Sequence, residues 1–320
     1  MPIQRYDPTH KEEWNQFLQQ AYHTSFLFNR DFMDYHADRF VDHSLMYYEK
    51  DVLVGILAAN EVGQTLIVHQ GLSYGSFILK ENDEKLFKRF LEEVIGYLHQ
   101  LHFQTLRYKA LPFPFHGSKI DPFDVLEKGS AAIQSVQEDV TTLVDLHQPL
   151  SFANNKKKSI RRAQNVGLSI VEEASFTDFW EAILIPNLKE RHGVSPTHSV
   201  TEIALIKANF SENILQFNVY EEEVLLAGAT LFIHERIVHT QYLSANDRGK
   251  QIGALDLLIS YFIETRFHEH DYLSFGISTY DQGRKLNEGL LFWKEGFGGK
   301  HHSLKIYEVN IGDYVKMHLS

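Results

Sequence analysis

Two stretches of this chain run alongside each other at a constant offset of about 170 residues, the signature of an internal repeat. "YYEKDVLVGILAANEVGQTLIVHQGLSYG" starts at Tyr47 and "VYEEEVLLAGATLFIHERIVHTQYLSAN" at Val219. Each opens on Tyr and acidic residues, passes through Val-Leu to a small residue, and runs through two apolar stretches to Val-His. A helical pattern follows in both, "DEKLFKRFLEEVIGYLHQLHF" and "GALDLLISYFIETRFHEH", and then a short strand, "TLRYKAL" and "YLSFGIS". A repeat of strand, turn, strand, strand, helix, strand predicts an α/β chain with mixed α+β sheets, built as two tandem domains. The length, 320 residues, suits two cores of ordinary size.

Pro149 and the paired Asn residues of "VDLHQPLSFANN" break the pattern, so the domains are predicted at residues 1–149 and 150–320. "THKEEWNQFLQQAY" and "SFTDFWEAILIPNLKERHG" read as helices opening each half. With no cysteine, the chain has no disulfide, no thiolate nucleophile and no Cys-type zinc site. "FHEH" and "KHHS" lack metal-ligand spacing, and no metal is expected. The polar N-terminus has no apolar segment of a signal peptide, and no apolar run reaches membrane-spanning length, so a cytoplasmic protein is expected. A net charge of −11 argues against DNA binding.

Against that acidic background, "KKKSIRRAQNVGL" at residues 156–168 packs five cations into one predicted helix. Ile160 and Ala163 can face the protein while Lys158, Arg161 and Arg162 converge on an anion and Lys156 and Lys157 stay solvated. A solvated linker helix is the bland alternative. A second anion site is offered by "NDRGKQIGALDLL". Arg248, Gly249, Lys250, Gln251, Ile252, Gly253 and Ala254 lie between a strand and an apolar helix, where glycines and a helix start favour phosphate. An Asp at position 253 is expected to block that site while sparing the fold. In the first half the matching helix start is acidic, at Asp83 and Glu84, and would repel phosphate.

"RGKQIGALDLL" resembles the acyl-CoA loop of the GCN5-related N-acetyltransferase (GNAT) superfamily, with Gln251 where a central glycine usually stands. "GLLFWKEGFGGK", at residues 289–300, together with "KKKSIRRAQNVGLSI", resembles the Fem family of peptidoglycan-bridge aminoacyltransferases, which are tandem GNAT-like domains. The resemblance implies two GNAT-like domains, the second binding the acyl donor. It also implies transfer of an acyl group onto an amine of a cell-envelope or polysaccharide precursor. Acyl-CoA, as acetyl-CoA, is the favoured donor, and aminoacyl-tRNA the alternative. A non-catalytic binding protein on the same fold is a further reading, because the usual acid, a Tyr before the final Gly-Phe, is replaced by Phe292.

Acyl transfer needs a polarised carbonyl, a deprotonated amine and a protonated leaving group. His239 is the candidate base and Tyr242 a candidate substrate-orienting group, on the central strand "HTQYLSA". Strand alternation puts His239, Gln241 and Leu243 on one face and Thr240, Tyr242 and Ser244 on the other. Substrate contacts are assigned to Arg161, Arg162, Arg191, His192 and Lys294, and to His69 and Tyr74 at an acceptor cleft between domains. Lys294 reads equally as a phosphate contact or a helix cap, and Arg191 and His192 as a carboxylate clamp or helix C-terminal caps.

Overall fold

A computed structural model describes residues 2–116, 121–149 and 151–319 of the chain. They divide into two compact units. The first comprises Met1–Asp139, Gln282–Arg284 and Ser303–Ser320; the second comprises Val140–Asp281 and Lys285–His302. This differs from a single boundary at residue 149. The change-over falls inside the long strand Ile133–Asp145, and the C-terminal segment returns to the first unit. Leu304, Tyr307, Val309, Ile311 and Tyr314 are buried in the first unit's core. Apolar alternation reveals a strand's buried face but not the sheet it joins, so this return was not legible.

In the first unit, β1 (Leu45–Glu49) and β2 (Val52–Leu57) form an antiparallel hairpin in the register Leu45↔Leu57. Lys50 and Asp51 turn it with positive φ, the conformation that matches the twist of two strands joined tightly. β3 (Thr65–Val68) follows, and β4 (Phe77–Leu79) returns to pair with β2. Helix α1 (Glu84–Gln100) starts where the Asp83 carboxylate accepts the Lys85 N–H at 2.8 Å. Its apolar stripe, including Phe87, Phe90, Leu91 and Val94, is buried, and Phe90 stacks on Tyr47 at 4.9 Å. A Cβ on Gly55 would stand 2.8 Å from the Phe90 ring, so glycine there lets helix and hairpin close up. β5 (Thr105–Lys109) runs parallel to β3, from Thr65↔Thr105 to Val68↔Tyr108. Helix α2 (Pro122–Gly129) is capped by Asp121.

The second unit is also built of strands and helices. Helix α3 (Asn154–Val166) buries Lys156, Ile160 and Ala163 and stops at Gly167, which has φ +81°. Helix α4 (Ile185–His192) ends at Gly193, φ +65°. β6 (Ile214–Glu221), β7 (Val224–His234) and β8 (Ile237–Ala245) form an antiparallel meander. The short helix α5 (Asp247–Ile252) and then α6 (Ala254–Tyr261) cross over to β9 (Tyr272–Ile277), which lies parallel to β8. Helix α7 (Glu288–Glu295) follows. No helix among the described residues is long and apolar enough to cross a membrane.

Candidate functional site

The site in the second unit is made by two strands that part. β8 and β9 pair only at Ile237↔Tyr272, Val238↔Leu273 and His239↔Ser274. Beyond that point β8 continues to Ala245 along β7, while Gly276, at φ +65°, bends β9 away. Between the diverging ends lies a cavity of about 370 Å³. Ligands in α/β sheets commonly sit outside the carboxyl ends of parallel strands.

β8 supplies Thr240, Gln241, Leu243, Ser244 and Ala245 to the cavity wall. Strict alternation would not allow so many consecutive residues on one side. The cause is a register shift: Thr230 faces Tyr242 but Leu231 faces Thr240, leaving Gln241 as the extra residue of a bulge. The buried Gln241 Oε1 has no hydrogen-bond partner among the described residues. Phe275 and Ile277 line the cavity from β9, and Leu290, Trp293 and Lys294 from α7. Arg191 and Lys250 place two further cations in the wall.

Lys294 is 3 % exposed. Its Nζ donates to Gly276 O at 2.9 Å, Ile277 O at 2.7 Å and Ser278 Oγ at 2.9 Å, so the three ammonium donors meet three oxygens. Burial pulls its pKa from 10.5 down to about 7. The chain therefore holds a buried amine in the cavity wall at the end of β9, bonded to three protein oxygens.

Helix α7 is held in place from below. Asp256, on α6, accepts the Trp293 indole N–H at 2.8 Å and a Lys156 Nζ hydrogen at 3.0 Å. The Lys156 ammonium also lies 4.8 Å from the ring centroids of Trp293 and Phe297. Gly296 lets α3 approach: a Cβ there would come 2.9 Å from the Lys156 side chain. The basic helix and the "FWKEGFGG" segment are thus parts of one assembly. Lys156 is buried rather than solvated, because it carries this junction.

The remaining sequence-assigned residues fall as follows. Arg191, Lys250 and Lys294 line the cavity. Arg248 forms a two-pronged ion pair with Glu221, at 3.0 and 2.7 Å, and Lys250 pairs with Asp247 at 2.9 Å. Gly249, Gln251 and Ile252 belong to α5, whose Gly249 N–H is taken by the Asn246 side chain at 2.8 Å. A Cβ on Gly249 would lie 2.4 Å from Leu226 O, and one on Gly253 would lie 2.1 Å from Ser159 Oγ. These glycines, with buried Ala254, serve helix packing, and Gly253 has φ +88° as well. A side chain at 253 therefore disturbs the fold, contrary to the expectation for Asp. Arg162 donates to Ile252 O at 3.2 Å, and Arg161 is exposed on α3. Neither lines the cavity.

His239 does not line it either. It is buried, with Nδ1 3.1 Å from Ser274 Oγ, and burial with the nearby Lys294 charge lowers its pKa to about 4. Tyr242 packs edge-on against Trp180, and its hydroxyl lies 2.8 Å from His198 Nδ1, with a pKa raised chiefly by burial. The Gln241 bulge is what breaks the expected alternation. His69 and Tyr74 are buried within the first unit, His69 accepting the Gly71 N–H and Tyr74 packing on Phe115. The side chain of His192 lies outside the described residues. No cluster of His, Cys, Asp or Glu that could hold a metal occurs among the described residues.

Asp256 was not singled out in the sequence, and Thr240, Gln241 and Ser244 were given a strand face but no role. Asp256 carried a signal: it is a single acid in the apolar run "ALDLLISYFI". The bulge carried none.

No family model matches the chain, and no curated protein matches it in sequence. Solved structures do match in shape. FemX aligns with a TM-score of 0.66 at 10% identity, over 100% of both chains. L-PGS from Bacillus licheniformis aligns at 0.56 and 12% identity, over 98% of this chain and 95% of that one. A tandem GNAT protein from the clavulanic acid biosynthesis pathway aligns at 0.50 and 11% identity, over 97% and 98%. At these identities the likeness is one of fold, a mixed α/β fold of the GNAT type.

Proposed function

We propose that this chain is an acyltransferase that moves an acyl group from a carrier onto an amine of a cell-envelope or polysaccharide precursor, and that its two units are tandem GNAT-like domains. The observation that carries this reading is Lys294, buried in the wall of a cavity between diverging parallel strands with a pKa of about 7. In such a transfer the amine nitrogen attacks the acyl carbon, the C–N bond forms, and the bond to the carrier sulfur or oxygen breaks. One proton leaves the nitrogen and one reaches the carrier. A group that titrates near neutrality serves both steps efficiently. The β9-facing backbone of β8 beyond Thr240 offers N–H groups to the acyl oxygen. Gln241, whose buried Oε1 has no hydrogen-bond partner among the described residues, stands in the same wall.

The carrier can be acyl-CoA or the aminoacyl ester of a tRNA. The "RGKQIG" loop at the end of β8 supports acyl-CoA. Aminoacyl-tRNA is the second reading, supported by the Arg248–Glu221 pair, which occupies the cation the CoA loop would use. The two are separated by assaying acetyl-CoA and a mixed aminoacyl-tRNA pool against amine-bearing envelope precursors, with product detected by mass spectrometry. Transfer from one donor, reduced roughly 100-fold in folded Lys294→Met, supports the reading. Absence of both turnover and donor binding with either donor overturns it.

A further inference from the structure

The first unit has a cavity of its own, of about 360 Å³. It opens near the carboxyl end of β5, the strand that runs parallel to β3, and is lined by β4, the start of α1 and the start of α2. Its body is apolar: Phe77, Leu79, Phe87, Leu111 and Leu126 face it. Two exposed apolar side chains, Tyr22 and Val125, stand in its wall at 48% and 55% exposure.

The charge in this cavity has one predominant sign. Asp121 lines it and is 7% exposed. Its two oxygens accept from neutral donors only, the Tyr108 hydroxyl at 3.1 Å and the Phe123 N–H at 2.8 Å, and it has no ion pair among the described residues. A buried carboxylate without a cation is costly. Burial accordingly raises its pKa to about 6. Glu81, Asp83 and Glu84 add three more carboxylates, opposed by Lys88 and the nearby His23. The positive end of α1 also points here, but Asp83 caps it and Glu84 lies in its first turn. Anions are therefore disfavoured. Tyr108 and Phe77 add aromatic surface to the cavity lining.

We infer that this cavity binds a small amphipathic cation, a primary amine on an apolar body, with the ammonium directed at Asp121 and the body among Phe77, Phe87 and Leu126. This site lies wholly within the first unit and does not depend on the acyltransferase reading.

The test uses three probes with one body and different charge: 2-phenylethylamine, 2-phenylethanol and phenylacetate. Binding to the full chain is measured by titration calorimetry and ligand-observed NMR at pH 7.5. The amine is expected to bind at least about tenfold more tightly than the alcohol, and phenylacetate more weakly than either, a tenfold step being about 1.4 kcal/mol. Asp121→Asn keeps the helix-cap oxygen and is expected to remove the preference for the amine while leaving alcohol binding unchanged. Should Asp121→Asn fail to fold, Glu81→Gln with Glu84→Gln, both at exposed positions, is expected to weaken amine binding severalfold. Equal binding of all three probes, binding of none, preference for phenylacetate, or no change in any folded variant overturns the inference.

Discussion

Lys156 Nζ lies 3.0 Å from Asp256 Oδ1, and both side chains are nearly out of solvent, at 6% and 12% exposure. The pair joins α3 to α6, and through the Trp293 indole it also fixes α7. Removing one member of a buried pair strands the other charge. Asp256→Ala is therefore expected to lower unfolding stability by about 3–5 kcal/mol. Lys156→Met should cost less, because Trp293 still donates to the carboxylate. Urea denaturation of both variants checks this order; a loss below about 1 kcal/mol for Asp256→Ala would place the pair in the weak class of exposed ion pairs.

Gly253→Ala tests whether the loop glycine serves packing. The methyl meets Ser159 Oγ, and a non-glycine residue is strained at φ +88°. A loss of about 1–3 kcal/mol is expected. Ser159→Gly in the same chain should recover the steric part and leave the backbone part. Full stability in Gly253→Ala would reopen the reading of this loop as one shaped for a phosphate.

Lys294 ties stability to pH in a defined direction. Its folded pKa of about 7 lies below the ordinary 10.5, so between those values the unfolded chain binds more protons than the folded one. Stability contributed by this residue therefore rises as pH increases from about 7 to 10.5. Lys294→Met should flatten that rise. The check is denaturant unfolding at several pH values in this window; identical slopes in wild type and variant would mean the amine titrates normally.

Two buried histidines act at the acid end. His69 titrates at about 3 and His239 at about 4, each lowered first by burial, against 6.5 when exposed. Below pH 6.5 the unfolded chain takes up protons that these rings cannot. Stability should then fall by up to about 1.4 kcal/mol per pH unit for each histidine, until its folded pKa is reached. His239→Gln is expected to reduce the steepness of this decline. A flat stability curve between pH 6.5 and 4 would contradict the burial of both rings.

Local elements were legible where one interaction dominates. The apolar stripe of α1, the burial of Ile160 and Ala163, and the stop at Gly193 follow from side-chain spacing or a glycine in left-handed geometry. The site was less legible because it depends on where chain segments meet. Lys294 was noted, but its depressed pKa arises from packing against β9. Lys156 looks solvated among four other cations, and only its meeting with Asp256, 100 residues away, buries it. The alternation argument for His239 was sound for a regular strand and failed at Gln241, where the bulge inserts one unmatched residue.

The return of the last segment to the first unit bears on how the chain is made. Val309 pairs with Leu106 and Tyr307 with Tyr108, so the residues that complete this pairing are synthesised about 200 positions after the strand that receives them. All of the second unit, through His302, precedes them. Folding in order of emergence, the usual course for a chain of several domains, is therefore reversed at completion. The second unit has all of its residues while the first still lacks Leu304, Tyr307 and Val309 from its core. Until the segment from Ser303 onward has emerged, the edge of Thr105–Lys109 that receives this strand stays unpaired, and a chain cut short before Leu304 would lose part of the first unit's core.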